Sequence, residues 1–216
     1  MIRKVFLISA MTLAAMGAAA QDAVATPYSV RAAMEIVVPS GGHDSYQTGA
    51  GAAVGAFYRL PLARNVYFEP GLEGFYHSMT AKQDMLIGDY YYQGSAQLAG
   101  LRIPLMFGYN FSTSPLLDIS LSTGPWMNIN LYGRQSILPN FDAPDRVPNQ
   151  KINLFKHGFR RVDALWGIRL KFTFAKNYSV GIVTAVAFTP LASFGMRDKK
   201  VKIYGHTIGI SLGYNF

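Results

Sequence analysis

Tyr204-Gly205-His206-Thr207-Ile208-Gly209-Ile210-Ser211-Leu212-Gly213-Tyr214-Asn215-Phe216 alternates without a slip. Ile208, Ile210, Leu212, Tyr214 and Phe216 share one parity. Thr207, Gly209, Ser211 and Asn215 share the other. Successive side chains of a strand point to opposite faces, so a period of two reads as a β-strand with one apolar and one small, polar face. A helix would scatter the same residues around its axis.

The pattern recurs upstream. Strands are predicted over 28–38, 49–60, 66–78, 95–109, 117–131, 161–173, 178–188 and 204–216. Met34, Ile36 and Val38 oppose Arg31 and Glu35 in the first. Leu101, Ile103, Leu105 and Phe107 oppose Arg102 and Gly108 in the fourth. Trp166, Ile168 and Leu170 oppose Asp163, Arg169 and Lys171 in the sixth. The connections 61–65, 110–115 and 175–177 are short; 39–48, 79–94, 132–160 and 189–203 are long. An even strand count with short turns at one end and long loops at the other predicts an all-β protein: an eight-stranded antiparallel up-and-down transmembrane β-barrel. Pro70, Pro104 and Pro125 interrupt it, and bulges are expected there.

A soluble barrel turns its apolar face inward and a membrane barrel turns it outward. The aromatics decide. Tyr28, Tyr58, Phe68, Tyr109, Phe172, Tyr178, Tyr214 and Phe216 fall on the apolar parity near the short-turn end, as an interfacial girdle would. The other parity carries Gly51, Gly55, Gly71, Gly108, Gly124, Gly167, Gly181, Gly209 and Gly213, suited to a narrow interior. It also carries the bases Arg31, Arg59, Arg102, Arg169 and Lys171 and the acids Glu35, Glu69, Glu73, Asp118 and Asp163. An unpaired buried charge is costly, so these are expected to form a salt-bridged plug; an ion pathway is the alternative.

The ends and the charge narrow the function. Residues 1–20 have Arg3 and Lys4, an uncharged stretch and Ala18-Ala19-Ala20, the pattern of a cleaved secretory signal peptide. Residues 21–27 form a short segment and 28–216 the barrel, with both termini expected on the periplasmic side and no peptidoglycan-binding domain expected after the barrel. Of 216 residues 50% are hydrophobic, 15% are charged and none is Cys; the formal charge is +8. No disulfide, Cys-ligated metal or Cys nucleophile is therefore available. Losing Arg3 and Lys4 leaves +6, and an exported chain does not meet nucleic acid. No motif for a metal or cofactor appears.

Phe68-Glu69-Pro70-Gly71-Leu72, Leu101-Arg102-Ile103-Pro104-Leu105, Gly124-Pro125 and Val162-Asp163 through Gly167 resemble the PorT-like outer-membrane β-barrel family of Gram-negative bacteria. The resemblance spans 28–216. It implies the barrel, the bacterial outer membrane and no catalytic residues. One branch looks like a component of protein export, so an export-complex partner is one implied role. The terminal Ile208, Ile210, Leu212, Tyr214 and Phe216 resemble the signal read by the barrel-assembly machinery.

Two sets of residues remain as candidates. The loops 132–161 and 189–203 hold Arg134, Arg146, Lys151, Lys156, Arg160, Arg161, Arg197, Lys199, Lys200 and Lys202 against Asp142, Asp145 and Asp198, leaving the rest of the mature chain at −1. Arg and Lys bind phosphate, so outer-membrane lipids, lipopolysaccharide above all, are the expected contact; solvated loops without a ligand are the alternative. Closure of the barrel puts Ser40 beside His206, an arrangement in which His could serve as base for an attacking Ser in acyl transfer, so a lipid A-modifying outer-membrane enzyme is the alternative. No third, orienting residue is visible, and a non-enzymatic role in membrane integrity or surface interaction is the expectation. His77 lies high on the inner parity near Glu73.

Overall fold

Strands whose alternate residues are large and apolar need two different environments, and closing the sheet supplies them. The computed structural model describes residues 27–41, 46–81, 85–87, 90–112, 116–139, 150–196 and 199–216. The first two predicted segments, 1–20 and most of 21–27, lie outside these. Eight long strands make the wall: β1 (Tyr28–Ser40), β2 (Gly49–Tyr58), β3 (Val66–Thr80), β4 (Tyr90–Ser112), β5 (Leu117–Pro139), β6 (Val162–Phe174), β7 (Tyr178–Ala187) and β8 (Lys199–Asn215). Each pairs antiparallel with the next, and β8 pairs with β1 to close the ring. No edge is left open in the wall, as a membrane-spanning sheet requires.

The wall is apolar outside. Met34 is 80% exposed, Ile210 61% and Leu212 62%, whereas Arg102 is 0% and Glu35 4% exposed. Near the short-turn end the aromatics touch one another: Tyr28 and Tyr58 at 4.9 Å between ring centres, Phe68 and Phe107 at 4.8 Å, Tyr178 and Tyr214 at 5.4 Å. Polar atoms on the outer face are paired within the wall. The Trp166 indole donates to Thr123 Oγ1 at 2.7 Å, and Thr123 donates to the Gly167 carbonyl at 3.0 Å.

Two expectations are corrected. The long connections are partly sheet: β4 starts at Tyr90 and β5 runs to Pro139. Gln150–Asn153 pairs with β5, Ala192–Met196 with β8 and Met85–Ile87 with β4. Alternation continues in β5 and β8, where exposed Arg134 stands between buried Gly133 and Gln135 and exposed Lys202 beside buried Ile203, but the charge on the outer parity hides it. The prolines also make no bulges. Leu60–Pro61 resumes the β2–β3 ladder in the register it held before Pro70. The β3–β4 ladder steps from Pro70↔Leu105 to Glu73↔Arg102 past Pro104, and the β4–β5 ladder from Pro104↔Trp126 to Phe107↔Thr123 past Pro125, both in register. Proline only lacks its own N–H, so each opens one ladder locally. The irregularities of β4–β5 lie elsewhere, between Gln93 and Gln97 and between Ala99 and Gly100.

The interior is filled. At the long-loop end Val37, Tyr46, Met79, Leu98, Leu154 and Ile203 belong to one buried apolar cluster. Lower down Met106, Trp126, Leu165 and Val183 belong to a second. Both lie on the face read above as glycine and charge. The glycines make room for the rings: a Cβ on Gly167 would collide with the Trp126 indole, and one on Gly108 with Tyr67. The Trp126 indole is held besides by its hydrogen bond to the Met106 sulfur at 2.8 Å. Gly167→Leu should therefore destabilise the barrel by ~1–3 kcal/mol, the usual cost of overpacking. Urea unfolding in detergent micelles measures this, with the outward substitution Ile168→Val as a near-neutral control.

Candidate functional site

Lumen charges first. Glu69 on β3 receives Arg31 of β1 through two parallel bonds of 2.6 and 2.7 Å. Arg59 approaches it at 3.4 Å, Arg169 of β6 at 3.3 Å and Lys171 at 3.8 Å. The Arg31 and Arg169 guanidiniums both lie over the Phe57 ring, at 4.1 and 4.8 Å. Arg102 of β4 is the second centre. It donates to both oxygens of Glu35 at 2.6 and 3.0 Å, to Glu73 at 3.4 Å and to Asn128 at 3.1 Å. Asn128 and Asn130 in turn donate to Asp163 at 3.0 and 2.7 Å. Glu73 joins the two centres, since Arg169 lies 3.7 Å from its carboxylate.

The predicted network is therefore assembled, with two refinements. His77 is bonded to Glu35 at 2.8 Å, over Gly51 of the strand between them, and not to Glu73 on its own strand. Asp118 sits half-buried at the short-turn rim of β5, opposite Thr173. Asn128 and Asn130 were missed. Their inward parity on β5 was the available signal, because a carboxylate such as Asp163 without an arginine needs amide donors.

Ser40 and His206 also meet. Ser40 Oγ lies 2.6 Å from His206 Nε2, on the outer side of the rim where β8 joins β1. The other ring nitrogen fixes the roles. The Ala187 backbone N–H donates to His206 Nδ1 at 3.0 Å. An N–H can only donate, so Nδ1 is the acceptor of the neutral ring and Nε2 carries the hydrogen. His206 then donates to Ser40. A general base for Ser needs the opposite tautomer, with its lone pair on Nε2.

The basic residues divide. Arg146 and Arg197 lie outside the described residues, as do the side chains of Lys199 and Lys200. Lys202 is exposed on β8. Arg134, Lys151, Lys156, Arg160 and Arg161 are exposed around one stretch of the rim. Register puts them there: Arg134 pairs with Asn153, Ser136 with Lys151, and the Asn130 N–H donates to the Arg161 carbonyl at 2.7 Å. Arg161 stacks on Phe155 at 4.6 Å and Arg134 on Tyr132 at 5.3 Å. Among the described residues of 132–139 and 150–161 there is no acid. The outward Leu131 and Val162 sit directly below, at the top of the apolar wall.

A family model described as outer membrane protein beta-barrel domain matches residues 28–193. The chain belongs to this family. Comparison with curated proteins returns no match. Among solved structures, Neisserial surface protein A is 12% identical with a TM-score of 0.45, covering 88% of this chain and 97% of its own. OprG from Pseudomonas aeruginosa is 13% identical with a TM-score of 0.49, covering 90% and 97%. Ail, the attachment invasion locus protein of Yersinia pestis, is 9% identical with a TM-score of 0.41, covering 88% and 99%. Identities this low carry no information about role.

As a member of the outer membrane β-barrel family, the protein resides in the bacterial outer membrane. Its apolar wall is the lipid-facing surface. Its lumen charges are thus enclosed by protein on all sides of the ring, and removing one partner strands the others. Arg102→Met should cost about 3–5 kcal/mol, because Glu35 and Glu73 lose their shared cation. Adding Glu35→Gln should recover part of that loss. A double-mutant cycle of urea unfolding in micelles reads the coupling; strictly additive losses would show that the pair does not interact.

Proposed function

We propose that the protein is a non-enzymatic outer-membrane barrel that supports membrane integrity by holding phosphorylated lipid, lipopolysaccharide above all, on its basic rim. The patch of Arg134, Lys151, Lys156, Arg160 and Arg161 carries this reading. It stands at the upper end of the lipid-facing wall, without an acid among its described residues, where the phosphates of an outer leaflet would lie. Arginines already stacked on Tyr132 and Phe155 have little freedom left to lose on binding a phosphate. The long-loop end is thereby the extracellular end and the short-turn end the periplasmic one. The filled lumen supports a wall-based role over a pore. The tautomer of His206 supports a non-catalytic Ser40, since the ring Nε2–H donates its hydrogen bond to the hydroxyl oxygen. The outward Ile208, Ile210, Leu212, Tyr214 and Phe216 would serve assembly into the membrane.

The resemblance of the Glu69-Pro70-Gly71 and Arg102-Ile103-Pro104 stretches to PorT-like barrels supports a second reading, an accessory of an export complex. The two readings part experimentally. Reversing Arg134, Lys151 and Arg161 to Glu should lower the lipopolysaccharide retained by the purified barrel several-fold. Unchanged retention, with a stoichiometric protein partner in mild-detergent pull-downs, would favour the export reading. Planar-bilayer recordings should show no steady conductance. Ser40 should resist a fluorophosphonate probe, and a labelled Ser40 would overturn the non-enzymatic reading.

A further inference from the structure

The acids and bases of the lumen are unevenly placed. Arg102 has Glu35 and Glu73 in contact and Asp163 one amide away. In the periplasmic half four bases, Arg31, Arg59, Arg169 and Lys171, converge on the carboxylate of Glu69, with Glu73 3.7 Å from Arg169 and Asp118 at the rim. Arg31 takes both oxygens of that carboxylate at 2.6 and 2.7 Å, and Arg59 and Arg169 add longer hydrogen bonds of 3.4 and 3.3 Å. Lys171 is the extreme case. Its ammonium comes no closer than 3.8 Å to Glu69, beyond a hydrogen bond, although it is buried at 4% exposure.

Unused donors gather around it. Lys171 pairs across the sheet with Ser120 on one side and Gly181 on the other. Arg169, two residues away on the same face, pairs with Ser122. Ser120 Oγ and Arg169 Nε are buried without a hydrogen-bond partner. Ser120 is 2% and Arg169 3% exposed. An ammonium, a hydroxyl and a guanidinium N–H thus share one patch of the lumen wall with donor capacity to spare, next to Gly181 and the Ser211 hydroxyl that lies over it. All of this capacity is complementary to negative charge.

We propose that the periplasmic half of the lumen holds a small inorganic anion of chloride size, bound by Lys171 Nζ and Ser120 Oγ with Arg169 Nε. The anion supplies Lys171 with the close negative partner that Glu69, at 3.8 Å, does not, and it stabilises the barrel by binding the folded state only. The site is distinct from the extracellular rim, and neither depends on the other.

The test uses the whole folded barrel in a zwitterionic detergent micelle. Chloride is exchanged for gluconate, too large for the lumen, at constant ionic strength, and the folding equilibrium is read by urea unfolding. Above its dissociation constant, each tenfold rise in chloride should raise the folding equilibrium constant about tenfold. Lys171→Met should abolish this dependence, and Ser120→Ala should move it to higher chloride. Crystals grown in bromide should show an anomalous peak beside Lys171 in the wild-type protein, which covers the case in which Lys171→Met does not fold. Identical unfolding of the wild type in chloride and gluconate would overturn the proposal. So would a chloride dependence that survives in Lys171→Met, or a bromide-grown crystal with water alone beside Lys171.

Discussion

Every residue of the wall answers to a two-residue alternation between lipid and a lumen only eight strands around. A slip of one residue would turn an entire strand inside out. Lipid tolerates no unpaired polar atom, so the outer face is apolar and its few polar groups, such as Trp166 and Thr123, bond to each other. The lumen tolerates little volume, so several of its large rings lie against glycine. Trp126 lies over Gly167 and Tyr67 over Gly108. The charges obey both limits: they are confined to the inner parity, and enclosure obliges them to neutralise one another.

These constraints explain what could be read in advance. The outer face must be apolar along its whole height, so its parity is legible in every strand, β8 most clearly. Closure follows from the strand count and the signature of short and long connections, and it brings Ser40 to His206. Where charge interrupts the outer parity above the membrane belt, strand and loop look alike. The extensions of β5 and β8 were read as loops for that reason; that of β4 carries no charge, and its three consecutive tyrosines, Tyr90–Tyr92, show no alternation. The inner face has no single composition, so Met106, Leu165 and Val183 went unnoticed among glycines and ions.

Pairing inside the lumen was harder to foresee than its membership. Glu69 collects bases from β1, β6 and the segment after β2, and Arg102 collects acids from β1 and β3. Such partners are set by side-chain length and by where the rings stand, as with Phe57 between Arg31 and Arg169, and no spacing in the sequence encodes that. The orientation of His206 has the same character. The β7–β8 ladder ends at Ala185↔Thr207, and the Ala187 N–H beyond it takes the imidazole in place of a backbone carbonyl. A backbone donor released by the end of a ladder thus sets the tautomer of a side chain at the rim.

Alternation also sorts charge by consequence. A base on the inner parity is surrounded by protein, its partners are fixed, and substitution is felt as stability. A base above the membrane belt keeps its solvation, costs the fold little and remains free to meet an anion from outside. Arg102 and Arg161 are the same residue type in these two situations. One donates to Glu35, Glu73 and Asn128 and is fully buried. The other is exposed and rests on Phe155, on a stretch of rim with no acid among its described residues. Lys171 falls between them, enclosed like the first and under-bonded like the second. A charge in that position lowers its free energy by acquiring a partner the chain itself does not provide.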